Sequence, residues 1–236
     1  MDRARLIDVA TGRRAPDLLL TGCRVVNVFT REITETSVAV DNGRVAGFGD
    51  YEAKEVRDLS GRYLLPGFID SHVHIESSLL SPEQFALLVL PHGTTTVVAD
   101  PHEIANVCGL DGVRYMIDAA RQAPLEVLFM LPSCVPSTSF ENAGAILDAE
   151  SLATMMEDES VLGLGEMMDY PSLLSGDEGV LAKLETAAAA GKPIDGHAPM
   201  VLGRDLMAYR AAGIDTDHEC STLEEMNERL RLGMRV

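Results

Sequence analysis

The residues best suited to chemistry begin at His72-Val73-His74, which follows the apolar residues Leu64, Leu65, Phe68 and Ile69 and then Asp70. Side chains on a strand alternate faces, so His72 and His74 point the same way. Two imidazoles on one face, at the mouth of a buried strand, can hold a divalent cation. Polar groups recur at the same kind of place: Asp100, His102 and Glu103 after Thr94–Ala99, Glu166 after Val161–Gly165, His197 after Lys192–Asp195, and His218 after Ile214–Thr216. Five of the six histidines, all but His92, fall at such a strand end, and that joint placement favours ligation over isolated structural roles. Four imidazoles and one carboxylate suffice for two divalent cations. His72 and His74 would take the first, His197 and His218 the second, and Glu166 would bridge. Nitrogen and oxygen donors without a thiolate suit zinc, manganese or iron(II) alike. Water between two such cations loses a proton near neutral pH and becomes a nucleophile.

These side chains need a scaffold that brings strand ends together. The apolar runs Leu64–Asp70, Thr94–Ala99, Leu125–Leu131, Val161–Gly165, Lys192–Asp195 and Ile214–Thr216 read as six buried strands, and Met234-Arg235-Val236 as the start of a seventh. Helical stretches separate them: Ser81 to Leu90 with Pro82 in the first turn, Gly109–Arg121, Asp148–Asp158, Asp177–Ala190, Arg204–Ala212, and a last helix that Ser221 and Glu224 would open as a capping box. Near-continuous apolar strands alternating with helices imply a parallel sheet covered on both faces. The spacing suits a (β/α)₈ barrel, whose βα loops gather at one end, but supplies only six complete units. The expected class is therefore α/β: an incomplete TIM-like (β/α)₈ metal-dependent hydrolase barrel over residues 64–236. In front of it, residues 1–63 read as an N-terminal arm and a small β module. There Asp41-Asn42-Gly43 marks a tight hairpin between Ser37–Val40 and Arg44–Phe48.

Composition narrows the partners. A net charge of −18 disfavours nucleic acid, whose binding relies on cationic neutralisation of phosphates. No run approaches 18 apolar residues, so no membrane span is expected. Cys23, Cys108, Cys134 and Cys220 are scattered without a CxxC spacing, which fits a reducing cytoplasm.

The segments PGFIDSHVHIESS, GTTTVVADPHEIANV, GLGEMM, DGHAP and TDHE resemble, in order, the signatures of prokaryotic adenine deaminases of the amidohydrolase superfamily. The resemblance runs from the β module to the last residue. Related dihydroorotases and hydantoinases carry a carboxylated lysine as the bridge, where GLGEMM puts Glu166. The resemblance implies hydrolysis of adenine to hypoxanthine and ammonia in purine salvage, with manganese or iron, by a homo-oligomer when full length. Metal-bound hydroxide would attack C6 of the purine. Asp100, His102 and Glu103 would line the substrate side or assist the metals, while Glu219, beside His218, would serve proton transfer with Glu166 and His218. The family pattern continues for two more units with a strand-eight aspartate, so this chain reads as a truncated form expected to be inactive alone. The alternatives are another amidohydrolase acting on a cyclic amide or related heterocycle, or a non-catalytic metal-binding fragment.

Overall fold

The computed structural model describes residues 2–236, which divide into two compact units, 2–66 and 67–236. In the first, helix α1 (Arg3–Ala10) starts at Asp2, whose carboxylate accepts from Arg5 N. Strands β1 (Leu18–Asn27), β2 (Glu32–Asp41), β3 (Arg44–Phe48), β4 (Glu55–Asp58) and β5 (Tyr63–Leu64) make one mixed sheet in the order β3-β2-β1-β4, with β5 also on β1. Asn42 and Gly43 both take positive φ (48° and 71°), the backbone that a two-residue hairpin demands. A bulge between Leu20 and Cys23 passes through Gly22 at φ 67°, and a Cβ there would overlap the Ser60 side chain.

The second unit repeats strand and helix. Strand β6 (Phe68–Val73) is followed by α2 (Pro82–Val89), β7 (Thr94–Ala99), α3 (His102–Ala120), β8 (Glu126–Leu131), α4 (Ala149–Ala153) and β9 (Val161–Met167). Then come α5 (Tyr170–Ser175), α6 (Glu178–Ala189), β10 (Ile194–Gly196), α7 (Gly203–Ala211) and α8 (Leu223–Arg231). The five strands form one all-parallel sheet in the order β10-β9-β8-β7-β6, a curled half-barrel wall. Sequence neighbours pair throughout because each crossover helix returns the chain to the next position. Apolar strand residues (Val97, Phe129, Leu131, Leu164) and helix residues (Met116, Leu184, Leu206) share one buried cluster.

Several elements differ from the sequence reading. Residues Tyr63–Leu64 pair with β1, so the barrel strand begins only at Phe68. The expected helix over Gly109–Arg121 reaches back to His102, with Gly109 (φ 62°, ψ −147°) as a break inside it. The helix expected over Asp148–Asp158 shortens to five residues, although Asp148 caps it as expected by accepting from Ser151 N. Ser81 occupies the N-cap position of α2 without a side-chain cap bond. Ile214–Thr216 is not a regular strand. It is held by one backbone bond to β10, Asp215 N to Ile194 O (3.1 Å), and one parallel bridge to Arg235, whose N donates to Asp215 O and whose O accepts from Asp217 N (both 3.0 Å), too few for a ladder. The final capping box is Thr222–Glu225, one residue later than Ser221–Glu224. Adjacent hydroxyls and adjacent glutamates allow either register. The observed one lets the Glu225 carboxylate accept from Met200 N as well (3.0 Å).

Candidate metal centre

The strand ends of the second unit bring the polar residues to one place. Asp100 N donates to Val73 O (3.1 Å), and His74 Nδ1 lies 2.8 Å from Asp100 O, which ties the ends of β6 and β7 together. If His74 Nδ1 donates that bond, its Nε2 keeps a lone pair directed away from the backbone. Glu166 is the next-to-last residue of β9. Ser133 Oγ donates to its carbonyl (2.7 Å), and Gly165 before it leaves room for the Asp100 carboxyl, which a Cβ at 165 would overlap. From α7, Tyr209 donates to Met167 O (2.7 Å) and accepts from His197 N (3.0 Å), linking the ends of β9 and β10.

Four imidazoles converge on the Glu166 carboxylate. His72 Nε2 and His74 Nε2 lie 2.8 and 2.9 Å from Oε1, with His218 Nε2 at 3.4 Å from the same oxygen and His197 Nδ1 3.5 Å from Oε2. His72 Nε2 and His74 Nε2 are only 3.0 Å apart, and His197 Nδ1 and His218 Nε2 are 3.4 Å apart. His102 stands behind, its Nδ1 3.8 Å from Glu166 Oε2 and 3.7 Å from Asp100 Oδ1. Glu103 Oε2 lies 3.5 Å from His74 Nδ1. Of the residues read from sequence, His72, His74, Asp100, His102, Glu103, Glu166, His197 and His218 are thus brought together. Glu219 is not: its side chain is exposed, and its backbone N binds Asp217 Oδ1.

Asp195, which the sequence reading did not single out as a site residue, completes the cluster. Its Oδ2 lies 3.1 Å from His218 Nδ1 and 3.6 Å from His72 Nδ1, and Thr216 Oγ1 donates to Oδ1. A carboxylate on Nδ1 fixes the tautomer that turns Nε2 of the same ring toward a ligand. The signal was available in DGHAP, where Asp195 precedes His197 by two residues and so shares its strand face.

Electrostatics favour a cation here. Burial alone would raise the Glu166 carboxyl, but His218, His72 and His74 hold it far below the usual carboxylate range. The Glu103 and Glu166 carboxylates push His74 up to about 11. At His218 burial works the other way, yet Asp195 and Glu166 still push it up to about 10. Asp195 is brought down against its burial by His218, His72 and Thr216. Asp100 is the exception: full burial, reinforced by the Glu166 charge, raises it well above the normal value, so it favours the neutral acid. Burial lowers His102.

The donor set fits divalent metal. Buried Glu166 Oε1, Glu103 Oε2, His102 Nδ1 and both Asp100 carboxyl oxygens lack a hydrogen-bond partner, although buried polar atoms normally find one. The His72, His74 and Glu166 donors form a triangle with edges of 2.8, 2.9 and 3.0 Å. Adjacent ligands about 2.1 Å from one cation stand about 3 Å apart in octahedral geometry. His72–His74–Glu166 and Glu166–His197–His218 are two such groups sharing the carboxylate, with His72–Asp195–His218, His74–His102–Glu103 and Asp100–His102–Glu166 beside them.

The profile of the amidohydrolase family matches residues 63–233. The adenine deaminase of Nitratidesulfovibrio vulgaris (strain DP4) is 59% identical over 231 residues, covering 98% of this chain and 40% of that protein. The adenine deaminase of Clostridium acetobutylicum is 54% identical over 230 residues, with the same coverage. The chain thus spans about 40% of the length of the curated relatives it matches. Among solved structures, a triazine hydrolase variant superposes with a TM-score of 0.62 at 16% identity, covering 92% of this chain and 64% of that one. The N-acyl-D-glutamate deacylase of Bordetella bronchiseptica, a zinc complex, gives 0.56 at 17% identity, covering 93% and 56%. These two likenesses concern the fold.

Proposed function

This chain belongs to the amidohydrolase family, and on that premise we propose that it carries the metal-holding part of an enzyme that hydrolyses adenine to hypoxanthine and ammonia. The observation that carries the reading is the convergence of His72, His74, His197 and His218 on Glu166, in a chain more than half identical to adenine deaminases along nearly its whole length. His72 and His74 would hold one cation and His197 and His218 a second, with Glu166 reaching both. All converging donors are nitrogen or carboxylate oxygen, which suit zinc, manganese or iron(II) alike, and the preference for manganese or iron(II) rests on the resemblance to adenine deaminases. When bound, the cations supply Lewis acidity that makes water a nucleophile near neutral pH.

This chain's own residues then have distinct tasks. Asp195 holds His218 and His72 by their Nδ1 atoms, so both rings present Nε2 inward. Asp100, favouring the neutral form, keeps a proton beside Glu166 that can pass to a departing amine. His102 and Glu103 adjoin His74 on the substrate side. Glu219 remains outside this cluster, and proton transfer is assigned to Asp100 instead. The reaction belongs to purine salvage in the cytoplasm, a setting that four free thiols fit. Among the described residues no helix is long and apolar enough to cross a membrane.

The test is a chimera in which this chain replaces the matching 40% of the Nitratidesulfovibrio vulgaris enzyme. Loaded with manganese, it is expected to bind two equivalents, convert adenine to hypoxanthine in the ultraviolet, and release ammonia. A folded chimera that holds metal and leaves adenine unchanged would overturn the reading, and turnover of a cyclic amide instead would reassign the substrate.

A further inference from the structure

Arg229 is the largest fully buried side chain among the described residues, and none of the chemistry above uses it. It rises from α8, and its guanidinium reaches the two loops that bear His197 and His218. Nε donates to Asp217 Oδ2 (2.7 Å) and Nη2 to Ala198 O (2.5 Å), while Nη1 donates to Val201 O (3.3 Å) and Glu225 O (3.2 Å). Ala198 adjoins His197 and Asp217 adjoins His218, so one planar group fixes the backbone beside both imidazoles. The other Asp217 oxygen continues the link, accepting from Ala198 N (3.5 Å) and Glu219 N (3.0 Å). His72 and His74 have different supports, Asp195 and the Asp100 carbonyl.

We propose that Arg229, acting through Asp217 and the carbonyls of Ala198 and Val201, is a positioning residue for the His197–His218 half of the metal centre. The inference rests on the metal-centre reading above. A buried ion pair is weak evidence for stability, because desolvation offsets much of the attraction. Its placement points elsewhere. The guanidinium is a rigid fork with five donors, and it spans acceptors on two loops at once. A lysine ammonium can meet Asp217 or Ala198 O but cannot hold the whole set in a fixed plane. Loss of the fork therefore frees the His197 loop from the His218 loop, while His74, held by the Asp100 carbonyl at the end of β6, keeps its geometry.

Two variants separate positioning from folding. Arg229→Lys keeps the buried positive charge. Arg229→Met with Asp217→Asn removes both charges together and so avoids the stranded charge that makes loss of one partner costly. The metal-free chain is titrated with cobalt(II), following ligand-field absorption, and its histidine ring signals are followed by NMR. Both variants are expected to stay folded and keep the first equivalent, and to bind the second roughly 10–100-fold more weakly. Without metal, the His197 and His218 ring signals shift or broaden, that of His72 follows because its ring stacks on His218 (centroids 3.6 Å apart), and that of His74 stays in place. A folded double variant that binds the second equivalent like the parent, or loses both equivalents alike, overturns the proposal. If the parent takes up no cobalt(II), the metal-centre reading falls, and the ring signals of the metal-free chain alone decide whether Arg229 positions the loops.

Discussion

Two charged clusters lie close together in the second unit, and they are built on opposite principles. Around Arg229, Nε and both Nη groups find acceptors, and Asp217 uses both oxygens. Around Glu166, buried Oε1 has no hydrogen-bond partner, and two pairs of imidazole nitrogens face each other at 3.0 and 3.4 Å. A satisfied buried network stabilises a fixed shape, whereas an unsatisfied one is costly unless something outside the chain completes it. The difference separates structure from function without reference to any relative: the closed cluster holds loops, and the open one is shaped for a cation.

The largest expected effects set these clusters against each other. Glu166→Gln removes the shared carboxylate, so both metal equivalents should weaken by more than the roughly 10–100-fold typical of an outer partner. The metal-free unfolding midpoint should move less than on loss of Arg229, because His74 and His218 can shed the protons that the Glu166 carboxylate helps to hold. Arg229→Met alone should act mainly on stability, costing about 3–5 kcal/mol in the metal-free chain by stranding the buried Asp217 carboxylate, and on metal only at the second equivalent. Calorimetric unfolding and metal titration of both variants check this pair. Equal losses of stability in the two would erase the distinction between the clusters.

A smaller effect tests the packing that lets the open cluster form. A methyl at 165 would overlap the Asp100 carboxyl, so Gly165→Ala must push Asp100 away from Glu166 or bend β9. Overpacking of this kind costs about 1–3 kcal/mol. Because Asp100 O accepts the His74 ring, the first metal equivalent should weaken along with stability. A variant with native stability and native affinity would show that the contact is easily relieved.

Much of this arrangement was legible in the chain. Period-two spacing placed His72 with His74, and strand ends followed by His, Asp or Glu located every member of the cluster except Asp195. Asp195 was missed because it sits within a three-residue strand, where it reads as scaffold unless its face is matched to that of His197. The sixth strand was over-read for a related reason: Ile214–Thr216 has the right composition, but a strand is defined by its partners, and here they amount to one bond and one isolated bridge. The capping box slipped by one residue because the deciding bond, Met200 N to Glu225, joins segments far apart in sequence. Local pattern gives the elements and their faces. Partnership over distance decides their ends.

The smallest expected effect comes from the first unit, whose charged group resembles the Arg229 cluster but lies nearer solvent. Arg5 donates to Asp41 through Nε (2.6 Å) and Nη2 (2.7 Å) and to Asp17 through Nη2 (3.1 Å), while Lys54 meets Asp17 from the other side (2.6 Å). The Arg5 guanidinium holds the Asp41 carboxyl below its ordinary range, and Lys54 with the Asn42 backbone N–H does the same for Asp17. A carboxylate whose pKa is depressed by folding contributes stability above its unfolded pKa, near 3.9, and loses it as pH falls through the folded value. The first unit should therefore be indifferent to pH from neutrality down to about 4 and weaken only below that. Amide exchange across β1 and β2, followed with decreasing pH, reads this directly. Arg5→Met should move the onset of weakening upward, because the buried Asp41 then loses the guanidinium that keeps it ionised. An unchanged onset would mean that this satisfied cluster, unlike the one at Arg229, contributes too little to register.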